Sequence, residues 1–105
     1  MLRLGDAVLT TLADATPVTV TLPLKSDGQT PQYVYVCHRW VASSVAFVFV
    51  KPFSSTETAP ADAVLMPVPL VEPALLYTGG CDRIRLRNTD AINAITVTVT
   101  ALENA

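Results

Sequence analysis

The sequence predicts an all-β protein, an antiparallel β-sandwich of jelly-roll type with about seven or eight short strands. Three observations lead to this prediction. β-Branched and other apolar residues alternate with threonine, as in strands whose successive side chains point to opposite faces. Eight prolines, spread from Pro17 to Pro73, disfavour helix interiors. Glycine-containing and polar turn segments separate the strand-like runs, and no linker divides the 105 residues, so residues 1–105 form one domain.

The strand-like segments differ in which faces are apolar. Residues 1–13 are predicted as an N-terminal arm followed by an edge strand, because they lack a helical period. Residues 18–24 (VTVTLPL) and 95–101 (ITVTVTA) have one apolar and one threonine face. Residues 32–41 (QYVYVCHRWV) and 44–53 (SVAFVFVKPF) are apolar on both faces. We expect these two strands to be covered on both sides.

Prolines and turn residues define the remaining elements. Residues 64–77 carry Pro67, Pro69 and Pro73, so this extended segment is predicted at a sheet edge. Asp27-Gly28 predicts a tight turn, and residues 78–80 (TGG) predict a turn with positive φ. Residues 54–63 are interpreted as a polar loop. Residues 88–93 (NTDAIN) are predicted to join the last two strands as a hairpin.

The composition is unusually apolar for so small a domain. Apolar residues make up 50% of the chain and charged residues 15%, against roughly 25% charged in typical soluble domains. Mean hydropathy is +0.42. We therefore expect part of the surface to be covered by another molecule. The alternative is a monomer whose thirteen threonines supply uncharged polar area.

The cysteines and the N-terminus bear on the compartment. No apolar run approaches the roughly 20 residues that span a bilayer, and residues 1–17 do not resemble a signal peptide. We therefore expect a chain made in the cytoplasm, with no membrane partner. In that reducing compartment Cys37 and Cys81 are expected to be free and buried, a disulfide being the less favoured alternative.

Three of the seven Lys and Arg residues alternate in DRIRLRN, residues 82–88. On a strand, Arg83, Arg85 and Arg87 share one face, while Ile84 and Leu86 point into the core. The arginines form either a solvated outer face or a protein interface, where their planar guanidinium groups pair with carboxylates. Nucleic acid is disfavoured as a partner, because the net charge is −2 and the pI is near 5.1.

Aromatic residues concentrate in the two doubly apolar strands, and two interpretations are open. Packing between the sheets is favoured, because aromatic side chains dominate core area. The alternative is a platform on which a sugar or base stacks, with Tyr33 and Tyr35 as its natural members. The residues concerned are Tyr33, Tyr35, Trp40, Phe47, Phe49 and Phe53.

The sequence contains no combination of residues that predicts catalysis. His38 is the single histidine, and its neighbour Cys37 points to the opposite face of a strand, so the two cannot form a dyad. One histidine does not make a cupin-type metal site, and no CxxC or HxxxH spacing occurs. Catalytic residues, metal ligands and cofactors are therefore not expected.

The run DRIRLRNTDAINAITVTVTALEN, residues 82–104, follows a proline-rich segment and YTGG. It resembles the C-terminal half of small all-β virion proteins of tailed bacteriophages. That resemblance implies a capsid decoration or cement protein on the capsid surface of a virion, made in the host cytoplasm. It would be a homo-oligomer that bridges capsid subunits, with the major capsid protein or other virion proteins as partners.

The candidate interface residues are accordingly Arg83, Arg85, Arg87, Tyr33 and Tyr35. Two other functions are kept beside this one. The first is a ligand- or glycan-binding sandwich of a tail or fibre, using Tyr33, Tyr35 and Trp40. The second is a head–tail joining or tail protein.

Overall fold

The computed structural model describes residues 2–13, 15–39, 47–58, 60, 66–69, 74–88 and 94–104. Within them the chain forms eight strands. No helix in these residues is long and apolar enough to cross a bilayer. The strands are β1 (Leu2–Leu12), β2 (Val18–Thr21), β3 (Tyr33–Arg39), β4 (Phe47–Phe53), β5 (Met66–Pro69), β6 (Ala74–Tyr77), β7 (Arg83–Asn88) and β8 (Ile95–Asn104).

The strands form two four-stranded antiparallel sheets. Sheet A has the order β1-β8-β3-β6, and sheet B has the order β2-β7-β4-β5. The chain pairs β1 with β8, β2 with β7, β3 with β6 and β4 with β5, as if one long hairpin were rolled into two layers. This is the strand order of a jelly roll. The predicted fold class is therefore confirmed.

The core lies between the sheets and is aliphatic. Alternate residues of β3, β7 and β8 are fully buried, because the period of two directs them to the shared inner layer. Each buried side chain contributes about 1.5–3 kcal/mol relative to an exposed one. The cluster consists of Leu12, Leu22, Val34, Val36, Val48, Val50, Ile84, Leu86, Ile95, Val97 and Val99.

Edge strands occupy the segments for which the sequence predicted edges. Residues 2–12 pair with β8 along their length, so the segment interpreted as an arm is a strand. A register shift between Leu4 and Ala7 interrupts this pairing. The proline-rich segment supplies β5 at the edge of sheet B and β6 at the edge of sheet A. An edge strand accommodates Pro67 and Pro69, since its outer N–H groups need no partner within the sheet.

The predicted hairpin between the last two strands is wrong. Strand β7 pairs with β2 and β4 in sheet B, whereas β8 pairs with β1 and β3 in sheet A. Both strands bury one apolar face in the same core, and crossing between the layers permits this. At the end of β7, buried Asn88 donates a 3.2 Å hydrogen bond to the carbonyl of Leu12 in the other sheet. Residues 89–93 lie outside the described part of the chain.

The predicted glycine turns are confirmed. Gly28 has a φ of 82°, and its amide donates to the carbonyl of Lys25 at 2.9 Å. Gly79 and Gly80 have φ values of 62° and 83°, which glycine adopts without steric cost. The amide of Cys81 closes this second turn with a 3.1 Å bond to the carbonyl of Thr78.

Candidate functional site: the two outer faces of the sandwich

The outer face of sheet A carries most of the exposed apolar side chains. Residues paired directly across antiparallel strands share a face, so Tyr33 with Tyr77 and Tyr35 with Leu75 project outward together. The pairing of β1 with β8 adds Leu4 and Leu9 to the same side. We call this surface the aromatic face, defined by Leu4, Leu9, Tyr33, Tyr35, Leu75 and Tyr77.

These six side chains account for all but one of the seven exposed large hydrophobic residues in the described part of the chain. Leu9 is 69% exposed, Leu4 65% and Tyr77 64%. Among the described residues, Arg3 is the one charged residue that lines the depressions of this face, and it lies at their edge beside Leu4. A contiguous apolar surface of this kind marks an interaction site more often than a solvated surface.

The aromatic face is concave. Strand β8 lies between β1 and β3 and presents short, half-buried threonines, so leucine and tyrosine side chains rise on both sides of it. A depression of about 420 Å³ is lined by Leu4, Tyr35, Cys37 and Thr100. A second, of about 260 Å³, is lined by Arg3, Leu4, Tyr35, Leu75 and Leu102.

The tyrosines are not core residues. Tyr33 and Tyr35 are 38% and 36% exposed, which contradicts the favoured interpretation that they pack between the sheets. The physical reason is that valine and isoleucine already fill the inner layer, so the rings occupy the outward positions of β3. The rings of Tyr33 and Tyr77 form a tilted pair, with centroids 5.2 Å apart and planes at 59°. Trp40 lies outside the described residues.

The outer face of sheet B is basic. Arg83, Arg85 and Arg87 project outward, while Ile84 and Leu86 are fully buried, so the predicted alternation is confirmed. Directly opposite Arg85 on β4 is Lys51, which brings four of the seven Lys and Arg residues onto this face. We call it the arginine face, defined by Lys51, Arg83, Arg85, Arg87 and Phe49.

Groups of the same chain contact the cations of the arginine face. The guanidinium of Arg83 lies 3.1 Å from a carboxylate oxygen of Asp82. The guanidinium carbon of Arg87 lies 4.5 Å from the ring centroid of Phe49, in cation–π geometry. Phe49 therefore does not pack in the core either. It supports an arginine on the solvent side of the sheet.

Asp82 also fixes the loop that follows β4. Its two carboxylate oxygens accept bonds of 2.7 Å from the amide and the hydroxyl of Ser55. These bonds, the one from the hydroxyl first, hold the pKa of Asp82 below its ordinary value, and Arg83 acts in the same direction. The acidic partner of the arginine face is thus part of a hydrogen-bonded turn.

A second carboxylate, that of Glu103 in β8, lies opposite the irregular part of β1. Glu103 is 7% exposed and accepts bonds from Arg3 at 3.0 Å and from the Ser26 amide at 3.1 Å. The Ser26 hydroxyl donates to it as well, and this bond contributes most to holding the pKa of Glu103 below its ordinary value. A Cβ on Gly5 would lie 2.6 Å from Oε1 of Glu103, so glycine leaves the carboxylate its space.

The two cysteines are unpaired and half-buried rather than buried. Cys37 faces outward beside Tyr35, and Cys81 follows the glycine turn before β7. Burial, with the carboxylates of Glu57 and Asp82, raises the pKa of the Cys81 thiol, so it is protonated at neutral pH. No group of three or more potential metal-ligating side chains occurs among the residues that the structure describes.

The structure separates the candidate interface residues into two sets. Tyr33 and Tyr35 lie on sheet A, whereas Arg83, Arg85 and Arg87 lie on sheet B, so one flat partner cannot contact both sets. The sequence interpretation missed Leu4, Leu9, Leu75 and Tyr77. All four residues of ALLY are apolar, so the sequence does not show that Leu75 and Tyr77 face outward. The register shift in β1 hides the relation between Leu4 and Leu9.

Comparison of the chain with protein-family models, with curated proteins and with solved structures found no match. The structural class of the chain is therefore defined by its fold and its surface alone. The chain is a jelly-roll sandwich with an apolar outer face on one sheet and a basic outer face on the other.

Proposed function

We propose that the chain is a non-enzymatic structural subunit that docks onto another protein through the aromatic face. One observation carries this proposal. Leucine and tyrosine side chains between 36% and 69% exposed concentrate on one outer face, although the chain has an aliphatic core elsewhere. Covering this surface would remove apolar area from water, which stabilises association by roughly 25 cal/mol per Å² before the costs of binding.

The chemistry of the face favours a protein over a charged partner. Tyrosine is enriched in the buried centres of protein interfaces, because it supplies a large contact area with few rotatable bonds. Threonine hydroxyls on β8 can form hydrogen bonds with a partner without the cost of burying a charge. A phosphate backbone or an acidic lipid surface would need a cluster of cations here, whereas Arg3, which is paired with Glu103, is the one cation lining these depressions among the described residues.

The assembly that we propose is a virus particle, and the chain is its capsid decoration or cement protein. Jelly rolls occur in capsid proteins but also in lectins and cupins, so the fold alone does not select this function. The resemblance of residues 82–104 to phage virion proteins supports it, as do the low charge and the apolar outer face. A subunit that binds only the assembled shell stabilises that shell by mass action.

Sedimentation with capsids tests this function. Capsids isolated from cells that express the chain, and stripped of it, would be mixed with the purified protein and pelleted. We expect the protein to sediment with the capsids and to saturate at a fixed number of copies per capsid. We also expect capsids carrying it to withstand higher temperatures than stripped ones. Protein that stays in the supernatant at every concentration would contradict the proposal.

A second candidate function is glycan binding at the same face. The observation that favours it is the tilted pair of Tyr33 and Tyr77, beside depressions that include Tyr35. Sugars stack on exposed aromatic rings, and a concave surface would hold one. Tyrosine ring resonances would be followed by NMR while an oligosaccharide panel is added. Shifts confined to Tyr33, Tyr35 and Tyr77 would support this function, and unchanged spectra would exclude the sugars tested.

A further inference from the structure

The four edges of the two sheets are unequal. Strands β2, β5 and β6 each have four residues, and β5 carries prolines at two of them. Short strands and prolines are features that prevent an edge from pairing with another chain. Strand β1 has eleven residues and no proline. Among the described residues, no strand pairs with its outer edge.

The C-terminal half of β1 lacks the other protective features as well. The register shift lies between Leu4 and Ala7, and the charged residues of β1 are Arg3 and Asp6. Residues 7–12 (AVLTTL), by contrast, pair regularly with β8 and carry no charge. Uncharged, β-prone segments without proline are those that pair most readily with a second strand. Leu9 lies in this segment and is the most exposed large hydrophobic side chain in the described part of the chain.

Antiparallel pairing of this segment with itself is consistent with the register of β1 and with its charges. A twofold axis at Leu9 places Leu9 opposite its copy, Ala7 opposite Thr11 and Val8 opposite Thr10. Residues that already point outward in sheet A then meet outward residues, and inward residues meet inward ones, as sheet pairing requires. No like charges are opposed, and the two leucines form an apolar cross-strand pair.

We propose that the chain forms a twofold dimer by antiparallel pairing of the β1 edges, centred on Leu9. Sheet A of one copy then continues into sheet A of the second, as an eight-stranded sheet with the order β6-β3-β8-β1-β1-β8-β3-β6. The aromatic faces of both copies lie on the same side of this sheet. The dimer therefore presents a double docking surface, although its formation does not depend on what binds there.

The molar mass of the purified chain tests the dimer, with Leu9→Lys as the variant. Leu9 is 69% exposed, so lysine is compatible with folding, and edge lysines oppose strand pairing. Leu24→Lys is the matched control, since Leu24 is 46% exposed and lies outside the sheets. We expect twice the mass of one chain for the wild type and the control, and a dissociation constant raised at least tenfold for Leu9→Lys. A monomeric wild type, or a dimer that Leu9→Lys leaves intact, would overturn the proposal.

Cysteine cross-linking tests the register. In a Cys37→Ser, Cys81→Ser background, Leu9→Cys would bring two sulfurs together across the axis, within the Cα separation that disulfides span. Leu4→Cys, at a similarly exposed position of the same strand, would lie far from its copy. We expect oxidation to link Leu9→Cys into dimers and to leave Leu4→Cys monomeric under denaturing conditions. The opposite pattern would contradict this register. Since capsid sedimentation tests the aromatic face separately, either proposal can fail without the other.

Discussion

The two outer faces of the sandwich differ although the sheets beneath them are alike. Both sheets have four antiparallel strands, both contribute to one aliphatic core, and both carry outward threonines. On the arginine face, Arg83 contacts Asp82 and Arg87 stacks on Phe49. On the aromatic face, leucine and tyrosine side chains remain exposed. The comparison shows that groups of the same chain contact two of the cations on the arginine face, whereas for the exposed apolar surface we propose a protein partner.

The largest expected effect follows from placing a charge on the aromatic face. Tyr77→Lys would weaken binding to capsids by about 2–4 kcal/mol, roughly 30- to 1,000-fold, because a buried ammonium would lack a partner in the interface. Its free energy of unfolding would fall by about 0.5–1.5 kcal/mol, because the ring pair with Tyr33 is lost, while little burial is lost since Tyr77 is 64% exposed. Sedimentation and urea unfolding measure the two quantities.

The control for this prediction is Leu24→Lys, which introduces the same charge outside both faces. It should retain capsid binding. Equal loss of binding by both variants would mean that charge alone, rather than the aromatic face, governs association.

Gly5→Ala tests how the irregular part of β1 is held beside the aromatic face. The added methyl group would meet Oε1 of Glu103 at 2.6 Å and the carbonyl of Ala101 at 3.3 Å. Overpacking of this kind costs about 1–3 kcal/mol of folding stability. Urea unfolding measures it, with Ala7→Ser on the exposed, regular side of the register shift as the control. A Gly5→Ala protein as stable as the wild type would show that Glu103 moves freely.

Lowering the pH tests the contribution of the same carboxylate, that of Glu103, to stability. The folded protein lowers the pKa of Glu103 from its ordinary value of 4.5, first through Ser26 and then through Arg3. The stabilisation is therefore fully present above about pH 4.5 and is lost as the pH falls through the lower folded pKa. We expect the melting temperature of the wild type to fall over this range, and that of Glu103→Gln to fall less. Parallel curves for the two proteins would contradict this role.

The smallest effect is expected on the arginine face. Arg87→Ala would remove the cation from above Phe49 and cost about 0.5–1 kcal/mol of stability. A double-mutant cycle with Phe49→Leu isolates the pairwise contribution, which should vanish when either partner is absent. Capsid binding by Arg87→Ala should equal that of the wild type. Loss of binding would place the arginine face in the interface.

Local rules predicted much of this fold from the sequence. The alternation in RIRLRN directs Ile84 and Leu86 inward, and the glycines at 28, 79 and 80 adopt the positive φ values that their turns require. Pro67 and Pro69 identify β5 as an edge strand. These features depend on neighbours in sequence, so the sequence pattern contains them.

The remaining features depend on contacts between distant segments. A period of two assigns Tyr33 and Tyr35 to one face of β3 but does not say whether that face meets the core or solvent. Strand pairing decides this, and it also separates β7 from β8. The aromatic face brings together leucines from the start of the chain and tyrosines from the middle. No local pattern connects them, particularly across the register shift after Leu4.

Hydroxyl-radical footprinting of the capsid-bound protein tests the central claim most directly. Tyr33, Tyr35 and Tyr77 report on the aromatic face, and Phe49 reports on the arginine face of the same molecule. We predict that oxidation of the three tyrosines falls severalfold on binding, while that of Phe49 stays unchanged. Protection of Phe49 with unchanged tyrosines would contradict the account and would assign docking to the arginine face.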